Sequence, residues 1–291
     1  MINLKNFHMH IIPTSFCNRN CSYCINSSKN FNYIDLRDFQ KDIKYIFNEL
    51  KSVNNFNNIW FEWNGGEFTL VPEIEKYFEI FIQEWIKIRS QIDYKKFNII
   101  LTTNFQQKRE IYQKIENIIS SEIDRYRYFV SLHYDYPLSF IDQIFDYLKY
   151  LKDNGEFEIN IMKSKDNDKS NQNKKFFKKI KKNVSIFDPK ILKKHLRLRY
   201  SYLIPKEFIN QGQPFLKMNK KYCSGSIYFY QYPGIINNYC EDKRYTPENF
   251  KITNNFKSCN KTCAGQAFDA RLFKPKYKNI KYQFYKTKKK F

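Results

Sequence analysis

Strand-like and helix-like segments alternate from Asn6 to Tyr202, and few architectures accept that pattern. Apolar and β-branched runs predict strands at residues 6–13, 57–63, 97–103, 128–133, 157–162 and 196–202. Helices are predicted at 35–50, 72–92, 108–119 and 139–151. The first carries Leu36, Phe39, Ile43, Ile46 and Leu50 at the spacing of a single helical face. The second opens on Pro72, where a missing N–H costs nothing. Residues 163–175 are polar and aperiodic, which predicts a loop; a basic helix near 174–182 and a short strand near 184–187 follow. About six such β/α units imply a parallel sheet with crossover helices, open or closed into a barrel. Beyond Lys221 the alternation stops. A hairpin around Pro233-Gly234, several turns and a Lys-rich tail at 274–290 take its place.

At 291 residues the chain can bury a sizeable core, and 42% hydrophobic with 19% aromatic residues excludes a disordered polymer. No run of eighteen apolar residues exists, so no membrane span is expected. Residues 1–10 lack a basic head followed by an apolar stretch, which argues against a secretory signal and for a cytoplasmic location. Lys and Arg outnumber Asp and Glu by 51 to 29, a net charge of +22. Such a charge suits phosphate contacts. It is equally what a very AT-rich genome produces, since Lys, Asn, Ile, Tyr and Phe are abundant throughout the chain.

The cysteines form two groups: Cys17, Cys21 and Cys24, then Cys223, Cys240, Cys259 and Cys263. An odd total, a tight triplet and no export signal argue against disulfides and for metal ligation. Three thiolates at Cys-x3-Cys-x2-Cys can hold one face of a cubane [4Fe–4S] cluster and leave an iron open for chemistry. A zinc knuckle with a distant fourth ligand is the alternative. His8 and His10 lie within the preceding strand, alternating with apolar residues, and offer no obvious fourth ligand.

This triplet at the exit of the first strand, with Tyr23 before its last cysteine, resembles the signature of the radical S-adenosylmethionine enzymes. The resemblance continues over residues 6–202. Asn64-Gly65-Gly66-Glu67 follows the second strand, similar to a Gly-Gly-Glu turn that contacts the methionine amino group. Leu101-Thr102-Thr103-Asn104 ends the third strand like a Thr-Asn-Gly turn, with Phe105 in place of the glycine. Val130-Ser131-Leu132-His133 ends the fourth, where the family sets polar residues on ribose and carboxylate. His133 also suits a neutral packing role. Arg197 and Arg199 share a face of the sixth strand; Arg199 could pair with the cofactor carboxylate, or make a salt bridge to a helix. Two glycines admit a close ligand approach, and a carboxylate beside them suits an ammonium. The resemblance implies a partial (β/α)6 TIM-like barrel over 1–205 with its site at the C-terminal strand ends. It also implies reductive cleavage of S-adenosylmethionine to a 5′-deoxyadenosyl radical that abstracts a substrate hydrogen, with an electron donor such as flavodoxin or ferredoxin.

The later four cysteines resemble the twitch domain, a truncated form of SPASM, with one auxiliary [4Fe–4S] cluster in a small C-terminal cysteine-rich domain at 206–273. The basic tail fills 274–291. Five residues separate Gly234 from Cys240, one more than usual in that domain. A four-cysteine zinc site is the alternative. Enzymes of this layout commonly modify ribosomally made peptides by thioether formation, carbon–carbon crosslinking or epimerisation, which makes a precursor peptide the expected substrate. Cys17 stands too near the N-terminus for a fused leader-recognition domain, so a separate peptide-recognition protein or the barrel rim would serve. An RNA, nucleotide or small-molecule substrate is the alternative, the first drawing on the charge and on Tyr277, Tyr282, Phe284 and Tyr285 in the tail. A non-catalytic iron–sulfur protein is the third possibility.

Overall fold

Six parallel strands stand in chain order, and their connecting helices all lie on one face. The computed structural model describes residues 5–19, 31–133, 136–163, 167–202, 216–218, 227–238, 243–252 and 273–275. The strands are β1 (Lys5–Ile12), β2 (Phe56–Trp63), β3 (Phe97–Thr103), β4 (Arg125–Leu132), β5 (Gly155–Lys163) and β6 (Leu196–Tyr202). Between them run α1 (Leu36–Val53), α2 (Ile74–Ile88), α3 (Arg109–Ile119), α4 (Ser139–Leu148), α5 (Asn167–Ile186) and α6 (Pro189–His195). β7 (Leu216–Met218), β8 (Ile227–Gln231), β9 (Ile235–Asn238), β10 (Lys243–Tyr245) and β11 (Phe273–Pro275) complete the set. The main sheet has the order β10-β9-β8-β1-β2-β3-β4-β5-β6, while β11 pairs with β7 alone.

Sequential order with successive crossovers places the helices on the outside of a partial barrel rather than on two faces of an open sheet. Outward side chains confirm the sidedness. Phe47 of α1 meets Phe61 of β2, Trp85 of α2 stacks on Phe97 of β3 at 3.8 Å, and Tyr147 of α4 meets Phe157 of β5. These residues belong to one apolar core. The alternate residues of the same strands face the interior, and many are polar, among them His8 and His10, Glu62, Thr102, Ser131 and Asn160, beside the apolar Trp60, Ile100 and Phe129.

The predicted hairpin exists, but its first strand extends the barrel sheet: β8 pairs parallel with β1, setting His10 opposite Phe229. Tyr230 reaches across to α1, where its hydroxyl donates to Asp42 at 2.8 Å. Two expectations between β5 and β6 are corrected. The predicted loop at 163–175 gives way to α5 from Asn167, and no strand forms at 184–187 because α5 runs through Ile186. Phe176, Ile180 and Val184 recur every four residues and pack inward, so helical periodicity overrides the local β-branched preference. Asn183 and Lys179 both reach Asp142 of α4, at 3.0 and 2.8 Å. The chain then restarts at α6, which the pattern did not suggest. Its signal is Asp188-Pro189: the carboxylate caps Lys190 N and the proline fills the first turn. Likewise α2 begins at Ile74, two residues beyond Pro72.

Candidate active site at the C-terminal strand ends

The segment leaving β1 carries Cys17 and is held by the turn leaving β2. Gly66 N donates to Thr14 O at 3.0 Å, and Glu67 N to Phe16 O at 2.8 Å. Gly65 has φ +115°, and a Cβ there would meet Thr14 O at 2.6 Å. A Cβ on Gly66 would fall inside the van der Waals radius of the Phe16 carbonyl. The two glycines therefore let the cysteine-bearing backbone lie directly against them. At its base this loop is clasped by a Thr14–Tyr33 bridge and by the Thr14 hydroxyl donating to Asn32 O at 2.6 Å.

Glu67 is 1% exposed and ties three strand ends together. Its Oε1 accepts from the Thr69 hydroxyl at 2.5 Å and the Thr103 hydroxyl at 2.8 Å; its Oε2 accepts from Asn104 N at 2.6 Å. Burial pushes the carboxyl up, and these donors oppose the shift. Asn104 continues the chain of contacts: its Nδ2 donates to Asn18 Oδ1 at 2.6 Å and lies 4.0 Å from Cys17 Sγ. Phe105 adopts φ +55°, the left-handed backbone that a glycine would take at this turn. Its ring stacks on Tyr112 at 4.2 Å and meets Tyr128, Tyr147 and Phe157 edge-on.

Ser131 faces the interior, paired in register with Asn160. His133 is buried, with Tyr136 edge-on at 5.3 Å. Arg199 lies in β6 opposite Asn160. Gly65, Gly66, Glu67 and Asn104 thus gather around Cys17, while Ser131, His133 and Arg199 lie on β4, just past it, and on β6. Tyr23, Cys21, Cys24, Cys223, Cys240, Cys259 and Cys263 lie outside the described residues. Cys17 is the one thiol among the described residues of this rim, on a segment seated by close-approach glycines at the strand ends where barrel sites form.

Beneath this rim the interior is charged. At the far end Arg127 bridges Glu156 at 3.2 Å and buried Glu158 at 3.0 Å, and Arg125 pairs with Glu156, a plug across β4 and β5. Nearer the rim, His8 Nε2 and His10 Nδ1 lie 3.5 and 3.8 Å from the same oxygen of Glu62. Burial holds the His10 ring down to about 4, so it is neutral at pH 7. Burial alone would raise the Glu62 carboxyl, but His10, His8 and the Thr102 hydroxyl together hold it at about 2. This cluster escaped the sequence reading. Its signal was His-x-His on one strand face, two residues that register with the next strand brings to Glu62.

Among solved structures, the chain is similar to Streptococcus suis SuiB bound to S-adenosylmethionine, at TM-score 0.43 and 15% identity over 88% of this chain and 64% of that one. It is also similar to HydG, a maturase of the [FeFe]-hydrogenase, at 0.42 and 13% over 70% and 44%. A third is anSMEcpe with bound AdoMet, at 0.42 and 15% over 87% and 77%. The chain therefore spans less than two thirds of SuiB and HydG. No family model and no curated protein matches it.

Proposed function

We propose that this chain is a radical S-adenosylmethionine enzyme. The observation that carries the reading is the convergence of Cys17, Gly65-Gly66, Glu67 and Asn104, from three separate strand exits, on one rim of the barrel. Cys17, Cys21 and Cys24 would hold three irons of a [4Fe–4S] cluster. With S-adenosylmethionine bound, the cluster supplies reductive cleavage of a sulfonium and hydrogen abstraction from the substrate. The residues of this chain position that chemistry. Gly65 and Gly66 seat the cysteine loop, and Glu67 locks the turn to the β3 exit. Asn104 steadies Asn18 beside the first cysteine. Tyr23, Ser131, His133 and Arg199 are proposed to line the nucleoside and carboxylate of the cofactor, and the curved sheet excludes water from it.

Cys223, Cys240, Cys259 and Cys263 would hold one auxiliary [4Fe–4S] cluster that passes electrons, with flavodoxin or ferredoxin as the outside donor. The substrate we favour is a ribosomally made precursor peptide, on the resemblance of the two-part cysteine layout to peptide-modifying members. The charge of +22 favours a nucleic-acid substrate as the second reading. Anaerobic reconstitution is expected to give about eight irons per chain; about four would remove the auxiliary cluster. Binding to peptides encoded beside the gene and to short RNA, compared across salt, separates the substrates. RNA binding with a steep salt slope and no peptide binding would overturn the peptide reading.

A further inference from the structure

We propose that His8, His10 and Glu62 form a site for one divalent transition-metal ion inside the barrel, below the rim that carries Cys17. One ligand atom from each residue lies within 4.8 Å of the others. Two imidazoles and one carboxylate are a donor set that selects zinc, iron(II) or cobalt(II) and leaves coordination positions open. Bonds of about 2.0–2.2 Å set neighbouring donors about 3.3 Å apart, so the ligand atoms, now up to 4.8 Å apart, must close by as much as about 1.5 Å, and the His8 ring, now stacked on His10 at 4.6 Å, must turn to aim its nitrogen at the ion.

Independent observations point to a ligand there. His10 is 5% exposed, yet its Nε2 has no hydrogen-bond partner among the described residues. Asn64 Oδ1, on the amide that touches His10 Nδ1 at 2.6 Å, is likewise buried and unpartnered among them. An orphaned, buried ring nitrogen at this cluster, His10 Nε2, calls for an occupant. The neighbouring carboxylate Glu67 shows the contrast, since both its oxygens are filled by internal donors. The surroundings resemble a metal shell. Thr102 donates to Glu62 at 2.9 Å, orienting the carboxylate, and Phe229 stacks on the His10 ring at 4.5 Å, covering it with apolar surface. Turning the Asn64 amide would set its oxygen to accept from His10 Nδ1–H, fixing the ring with Nε2 as its ligand atom. The open positions face the barrel interior, where a bound ion would polarise a carbonyl or hydroxyl of a substrate.

The test uses the full chain with its cysteine sites already loaded with iron and sulfide, titrated anaerobically with cobalt(II). One further equivalent is expected, and X-ray absorption at the cobalt edge should show nitrogen and oxygen at about 2.1 Å with imidazole scattering and no sulfur at about 2.3 Å. His10→Gln and Glu62→Gln should each weaken that binding at least tenfold, while His195→Gln, a buried histidine elsewhere, should not. A sulfur shell would overturn the proposal. So would unchanged cobalt affinity in folded His10→Gln and Glu62→Gln chains, or no added equivalent at all. None of these outcomes depends on S-adenosylmethionine chemistry, so the site stands or falls apart from the function proposed above.

Discussion

Phe105→Gly should leave the protein more stable than Phe105→Ala, the reverse of the usual order for these two residues. Both variants lose a ring that is buried and packed on four aromatic neighbours, stacked at 4.2 Å on one and edge-on to three. Removing a core phenylalanine costs about 3–5 kcal/mol. The variants then part on the backbone, which holds φ +55° at this position. Alanine keeps the left-handed penalty of about 1–2 kcal/mol that phenylalanine already bears, whereas glycine sheds it. Against this, glycine loses about 0.5–1 kcal/mol more unfolded-state entropy. The balance favours glycine by about 0.5–1 kcal/mol, or roughly 1–4 °C in Tm at about 2–4 °C per kcal/mol for a chain of this size. Urea unfolding followed by tryptophan fluorescence and a thermal melt read both differences. If alanine equals or exceeds glycine, the backbone at Phe105 is not left-handed. If either variant costs less than about 1 kcal/mol, the ring is not the buried wedge described here.

Other perturbations test other joints of the rim. Gly66→Ala should force the cysteine segment away by on the order of 1 Å, break two backbone hydrogen bonds worth about 1 kcal/mol each, and release the iron nearest Cys17; full iron retention would refute the seating role. Glu67→Gln replaces one accepting oxygen by a donor facing Thr69 and Thr103 or Asn104 N, and should cost about 1–3 kcal/mol in urea unfolding. An unchanged midpoint would show that the carboxylate is not the tie. Asp42 is held up to about 6, chiefly by burial, so the folded state binds its proton more tightly than the unfolded chain does. Its contribution to stability is present below pH 4 and is lost as pH rises through 6. Asp42→Asn, which still accepts from Tyr230, should add about 1–2 kcal/mol at pH 7.5, after allowance for partial solvation, and nothing at pH 4. A gain that is equal at both pH values would contradict this.

The barrel strands were legible because each spans a run of apolar and β-branched residues bounded by turns, and β3 falls where it was expected. The site was legible as positions, since Cys17, Gly65, Glu67 and Asn104 each follow a strand. Their contacts with one another were not. The spacing of Glu67 says nothing of Thr103, and only the register of β2 on β3 brings them together. The same limit hid His8, His10 and Glu62, whose union depends on the pairing of β1 with β2. A hairpin carries no mark of which edge it will join, so β8 beside β1 could not be foreseen. Among the described residues no helix is long and apolar enough to cross a membrane, in keeping with the hydropathy of the sequence.

The central claim is tested most directly by mixing the anaerobically reconstituted, dithionite-reduced protein with S-adenosylmethionine and quantifying 5′-deoxyadenosine and methionine by chromatography. The account predicts equal amounts of both products from the native chain, with none from Cys17→Ala or Cys24→Ala. No 5′-deoxyadenosine from a native chain that carries its full iron, or undiminished cleavage by either variant, would contradict it.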